Sequence, residues 1–255
     1  VLGGGIVAGS VVLLGGEPGI GKSTLLLQLA LQLAPRRILY VSGEESEQQI
    51  KLRAQRIPIQ NPNLYVAGET NLERIAAFQK ELAPDLMIVD SIQTMVSPLI
   101  ESGAGSVSQI KECASEFMTF AKESDVPVIM IGHITKEGSL AGPKVLEHCI
   151  DCSIMLEGST DSRYRTLRGN KNRFGAVNEL GVFAMTGTGL KEVKNPSAIF
   201  LSRTEEQTAG SVVMVLWEGT RPLLVEIQAL VDHSALGNPR RVAVGADQNR
   251  LSMLL

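Results

Sequence analysis

The sequence has 255 residues, 44% hydrophobic and 20% charged, a globular balance with enough length to bury a sizeable core. A formal charge of −3 excludes a bulk polyanion binder, so any nucleic-acid contact must rest on a local cluster of Lys and Arg or on repetition around an oligomer. Three cysteines make no disulfide framework, and no apolar run approaches a membrane span or a secretory signal, so a cytoplasmic protein with no membrane partner is expected.

Short apolar runs at 10–15, 37–42, 86–90 and 126–131 read as buried parallel strands. Helical segments lie between them. One opens at 23–34. A second, 71–83, is preceded by a capping box of Thr70 and Glu73, and a third, 106–123, by Ser106 and Gln109. In the third, Val107, Ile110, Ala114, Phe117 and Ala121 share one face. Strand–helix alternation of this kind predicts an α/β fold with a parallel-rich central sheet covered by helices. Past about residue 150 the runs SIMLEG, YRTLRG, LGVFAM and LKEV read as strands with short turns. Residues 195–210 look like a linker, and VVMVLWEGTRPLLVEIQALV starts another sheet. No internal repeat is present.

GEPGIGKS, Gly16–Ser23, follows the first strand and opens the first helix, which is the context a P-loop requires. Gly16, Gly19 and Gly21, with Glu17, Pro18 and Ile20 between them, let the backbone wrap a phosphate so that its N–H groups point inward. The start of the helix, through Thr24, adds a favourable partial charge. Lys22 reaches the β- and γ-phosphates and the Ser23 hydroxyl ligates Mg²⁺, so ATP and Mg²⁺ are the expected cofactors.

Strand ends should complete the site, because ligands bind at the carboxyl edge of a parallel sheet. LMIVD ends in Asp90, the expected metal-side carboxylate. YVSGEES ends in two acids; Glu44 is the expected polariser of the attacking water, with Glu45 as its rival. VIMIGHIT ends in His133, expected to sense the γ-phosphate ahead of the loop TKEGSLAGPK at 135–144. That loop carries Lys136 and Lys144. Phosphoryl transfer also needs a cation at the γ-phosphate. No arginine is close to the P-loop in sequence, and Arg36 and Arg37 fall at the far end of its helix. Lys171 and Arg173, in KNRFG at a turn between two strands, are candidates to serve a neighbouring subunit's nucleotide; a merely basic turn is the alternative.

These motifs, with GGEPGIGKSTLL, DSIQT and GHITKEGSLAGPKVLEH in order and KNRFG as the most specific of them, resemble the bacterial RadA (Sms) family of RecA-like ATPases over essentially the whole chain. The resemblance implies a RecA-like P-loop NTPase core at 1–203, followed by the start of a Lon-protease-like α/β domain at 204–255. It implies a DNA-dependent ATPase of repair and homologous recombination. Such a protein forms a homo-hexameric ring on single-stranded DNA and drives branch migration or unwinding of branched intermediates, with a recombinase as possible partner. The loops after Asp90 and His133 would then face the ring's pore and the DNA, with Lys136 and Lys144 as the leading DNA-phosphate contacts. An ATP-gated scaffold binding DNA or protein, in which hydrolysis only resets the complex, is the competing function. The family's N-terminal four-cysteine zinc finger has no counterpart in these 255 residues, and the second domain is incomplete, so neither a zinc site nor proteolysis is expected and a longer parent chain is. Other features read blandly. Cys149 and Cys152 are expected as buried small residues, Tyr40 and Trp217 as packing, and Arg163, Arg165 and Arg168 as one solvated or DNA-facing side of a strand.

Overall fold

A computed structural model describes residues 1–133, 146, 148–158, 162–177, 179–197, 201, 209–218, 221–233 and 241–254. Two compact units result: Val1–Pro196 with Leu216–Leu223, and Ser197–Val215 with Leu224–Leu255.

The first unit is built on β1 (Val11–Gly16), α1 (Lys22–Gln32), β2 (Ile38–Ser42), α2 (Glu47–Ala54), β3 (Leu64–Ala67), α3 (Leu72–Leu82), β4 (Leu86–Asp90), α4 (Val107–Ser124), β5 (Val128–His133), β6 (Cys152–Glu157), β7 (Tyr164–Asn172), β8 (Leu180–Thr186) and β9 (Gly189–Glu192). Its sheet runs β3-β2-β4-β5-β1-β6-β7-β8-β9. From β3 through β6 every neighbouring pair is parallel. From β6 to β9 the pairs are antiparallel. The central strands are buried on both faces, hence their unbroken apolar runs. Alternate residues feed two separate cores. Val11, Leu13, Val41 and Val89 pack with Ile110, Ala114, Phe117 and Ala121 of α4. Val12, Leu14, Tyr40 and Ile88 pack with Leu26, Leu27, Ala30 and Leu31 of α1. Burying one such side chain as large as Phe117 contributes about 1.5–3 kcal/mol.

Local chemistry changes three helix-start expectations. α3 is capped by Asn71, not Thr70: the Asn71 Oδ1 accepts from the N–H groups of Glu73 at 2.9 Å and Arg74 at 3.3 Å. Thr70 is still extended, its carbonyl taken by the Val96 N–H. At α4, Ser106 does accept from the Gln109 N–H. Gln109, however, turns away from the cap and donates to the carbonyls of Ser97, Ile100 and Ser102, knitting the preceding loop. Val107 lies in the first turn, before the helix meets the sheet, and is 51% exposed instead of buried.

The sequence pattern carried no expectation for α2 or β3. α2 buries only Ile50 and has no apolar stripe, yet its Ser46–Gln49 capping box is satisfied in both directions. β3 is four residues long at the sheet edge.

In β7, Ser153 pairs with Lys171 and Ile154 with Gly169, so Asn170 is an extra, bulged residue. Beyond it the side chains change sides: Leu167 belongs to the α1-side core, whereas Lys171 shares the face of Ser153.

β10 (Ser211–Glu218) pairs with β11 (Arg221–Gln228) in a two-stranded sheet of its own, and the second unit includes a short helix, Gln248–Leu254. Among the described residues no helix is long and apolar enough to cross a membrane.

Candidate functional site

The turn from β1 into α1 is the first part of the site. Gly19 at φ 75° and Gly21 at φ 112° lie in the left-handed region that favours glycine. Gly21 precedes α1 and offers no side-chain cap, so the first-turn N–H groups remain available to an anion. Glu17, Pro18 and Gly19 are exposed, Ser23 and Thr24 half-buried, and Ile20 is buried beneath the loop. Lys22 is only 4% exposed. Its ammonium donates to the carbonyls of Gly16 and Glu17, each at 2.9 Å, and lies 3.2 Å from His133 Nδ1. Burial lowers its pKa, against the opposing pull of Glu44 and Asp90.

Strand register brings the other parts to the same edge. Gly16 pairs with His133, and Ser42 with Asp90. His133 Nε2 lies 2.6 Å from Glu44 Oε1. An imidazole protonated on Nε2 donates there and leaves Nδ1 to accept from Lys22, which satisfies all three groups. Glu44 also accepts from the Ser91 hydroxyl. The His133 hydrogen bond, then the Ser91 one, hold its carboxyl below the usual range against the opposing effect of burial. Glu45 is directed elsewhere: its carboxylate abuts Arg53 and its N–H donates to Ser42 Oγ. Of the two acids, Glu44 therefore faces the P-loop lysine.

Asp90 is 1% exposed. One carboxylate oxygen, Oδ2, accepts from the Tyr40 hydroxyl at 2.6 Å. The other, Oδ1, is buried without a hydrogen-bond partner among the described residues. Ser23 lies near the same Tyr40 hydroxyl. A carboxylate oxygen and an alcohol of this kind are hard donors that fit Mg²⁺.

Two further residues belong to this arrangement. Tyr40, expected as packing, is indeed in the core, but its hydroxyl reaches the carboxylate. Arg165, expected on a solvated or DNA-facing side, is 8% exposed. Its Nε donates to the Ile20 carbonyl of the P-loop at 3.1 Å. An arginine thus lies against the P-loop in space though not in sequence. Arg168, three residues on, cannot share its face in a regular strand.

Lys171 and Arg173 are not brought to the Lys22–His133–Glu44 cluster of their own chain. Lys171 Nζ donates to the Ile150 carbonyl at 2.7 Å. Arg173 Nη1 pairs with Asp151 Oδ1 at 3.1 Å and Nη2 donates to the His148 carbonyl at 3.3 Å. The Arg173 side chain is still 48% exposed. Asp151 in turn accepts from the Val11 N–H at 2.9 Å, which fixes the segment to β1. Lys136 and Lys144 lie outside the described residues. Cys152 is buried as expected, but Cys149 is exposed.

The family described as "AAA domain" matches residues 1–139. Over its full length the chain is 62% identical to the DNA repair protein RadA of Escherichia coli (strain K12). It is 52% identical to that of Bacillus subtilis (strain 168), again over its whole length. The chain belongs to the RadA family of AAA-domain proteins. It spans 56% of each of these two relatives. Among solved structures, a RadB recombinase aligns with a TM-score of 0.58 and 21% identity, over 76% of this chain and 94% of that one. A KaiC-like protein from Pyrococcus horikoshii OT3 aligns with a TM-score of 0.59 and 17% identity, over 75% and 92%. The parallel-rich core is accordingly RecA-like, and the RadA-family motifs fall on its strand ends.

Proposed function

We propose that this chain is the ATP-hydrolysing core of a DNA-repair protein, a ring-forming motor on single-stranded DNA that drives branch migration or unwinding. The observation that carries the reading is the Lys22–His133–Glu44 chain beside the unpartnered Asp90 Oδ1, assembled from the ends of four strands or their following turns.

The first-turn N–H groups of α1 and the backbone of Gly16–Gly21 hold the nucleotide phosphates. Lys22 exchanges the Gly16 and Glu17 carbonyls for phosphate oxygens. Ser23 and Asp90 hold the Mg²⁺, which when bound neutralises charge on the β- and γ-phosphates. Glu44 accepts a proton from the attacking water as its oxygen bonds to the γ-phosphorus and the bond to ADP breaks. A carboxylate kept below its usual pKa is ionised and ready to orient that water. When Lys22 turns to the phosphate, His133 loses the partner at Nδ1. The change passes to the segment beginning at residue 134, in which Lys136 and Lys144 contact DNA phosphates.

Arg173, with Lys171, completes the neighbouring subunit's site in a homo-hexamer, leaving its resting contact with Asp151. Residues 1–203 form the ATPase domain and 204–255 begin a Lon-protease-like domain of a longer cytoplasmic protein. Branched recombination intermediates and a recombinase are its expected partners.

The test compares Glu44→Gln with Glu45→Gln. Glu44→Gln should bind ATP and lose hydrolysis by about 10²–10⁴-fold, the range for a general base, while Glu45→Gln retains most of its turnover. The reverse order moves the acid by one residue. Absence of ATP hydrolysis by the unaltered protein, with or without single-stranded DNA, refutes the reading.

A further inference from the structure

Packing alone explains the Tyr40 ring but not its hydroxyl. The ring lies in the α1-side core beside Ile38 and Ile88, is 0% exposed, and could be replaced there by phenylalanine. Among the described residues the hydroxyl proton goes to Asp90, a residue assigned to the divalent cation, at Oδ2 and 2.6 Å. With Oδ2 occupied, the oxygen of Asp90 left buried and unpartnered among the described residues is Oδ1. Ser23, the other residue assigned to the cation, lies near the same hydroxyl.

We propose that Tyr40 is the positioning residue of the divalent-cation site: its hydroxyl fixes the Asp90 carboxylate so that Oδ1 is presented to the cation that accompanies the nucleotide. The inference rests on the Mg–nucleotide reading above and adds to it a residue outside the P-loop and the aspartate strand. Partners that orient a metal's ligands are typically worth about 10–100-fold in metal affinity.

The experiment is Tyr40→Phe in the whole chain, with two readouts that need no turnover. ADP binding is measured in EDTA, and Mn²⁺ uptake by the ADP complex is followed by electron paramagnetic resonance. The expected result is a folded protein with unaltered ADP affinity in EDTA and Mn²⁺ affinity weakened about 10–100-fold. Wild-type Mn²⁺ affinity in the variant overturns the inference. So does an equal loss of ADP binding with and without metal, or failure to fold, since each marks the hydroxyl as a structural prop. If the unaltered protein takes up no Mn²⁺ with ADP, the nucleotide reading itself fails and takes this inference with it. A normal uptake that Tyr40→Phe leaves unchanged refutes only the role of Tyr40.

Discussion

Replacing Arg165 by methionine keeps most of the side-chain volume and removes every donor. In the structure Nε serves the buried Ile20 carbonyl at 3.1 Å, and Nη1 serves the Tyr164 carbonyl at 2.8 Å and the Ser162 carbonyl. Charge-assisted bonds to buried acceptors are worth about 1.5–3 kcal/mol each. Only the Ile20 acceptor is fully enclosed; the other two can recruit water, and removing a buried cation recovers part of its desolvation cost. The net loss should therefore be about 2–3 kcal/mol, near the value of the single enclosed bond. For a chain of this size that corresponds to a fall in Tm of roughly 4–12 °C. Half of that cost expressed as disorder of the P-loop would weaken ADP binding about tenfold, since 1.4 kcal/mol is a factor of ten. Arg168→Met is the matched control. Its ion pair with Glu157 is long, 3.9 Å, and Glu157 is half-exposed, so loss of that pair should cost about 0–1 kcal/mol. Differential scanning calorimetry and ADP titration of the two variants decide the matter. Equal Tm and equal ADP affinity for Arg165→Met and Arg168→Met would show that Arg165 does not brace the loop.

Lys22→Ala and Arg173→Ala should each be inactive, the latter by about 10³-fold if it acts as an arginine finger. Mixed in equal amounts under conditions that exchange subunits, they should recover activity, because some interfaces then pair a sound P-loop with a sound finger; proven mixed rings without recovery would return KNRFG to a basic turn. His133→Ala removes the largest influence lowering the Glu44 pKa, so that carboxyl should rise toward its ordinary range. The acid limb of the residual ATPase, which needs the ionised carboxylate, should then move to higher pH; a limb that stays or moves lower refutes the link.

What the sequence made legible and what it hid follow from how far each interaction reaches. Gly16–Ser23 is a local signal, since backbone conformation and helix start are set within eight residues, and the apolar runs of β1, β2, β4 and β5 announce strands buried on both faces. Residues at their ends could be assigned because strand ends converge. The Tyr40 hydroxyl contact and the burial of Arg165 escaped the sequence because each is defined by neighbours in space. A tyrosine inside an apolar strand looks the same whether its hydroxyl meets a carboxylate or another partner. Arg165 finds its partner 145 positions away, and arginines at 163, 165 and 168 suggest a wet strand unless their faces are followed. Thr70 lost its capping role to Asn71 by one residue, as two adjacent capping side chains compete and the extended chain at Val96 decides. The Ser46–Gln49 box ahead of α2 was in plain view, but a helix with one buried residue leaves no apolar periodicity to accompany it.

The extra residue in β7 has a bearing on how KNRFG can vary. Arg165 and Lys171 are six positions apart, an even interval, and in an uninterrupted strand both would project from the side that carries Leu167. Asn170 makes the interval effectively odd. One strand can then send a guanidinium to its own P-loop from one surface and an ammonium to the Ile150 carbonyl from the other. The constraint between the two cations is thus one of parity, not length. Two residues gained or lost between Leu167 and Lys171 would leave each on its present side, whereas a single insertion or deletion would turn Lys171, with the KNRFG segment it opens, over to the side occupied by the nucleotide helix.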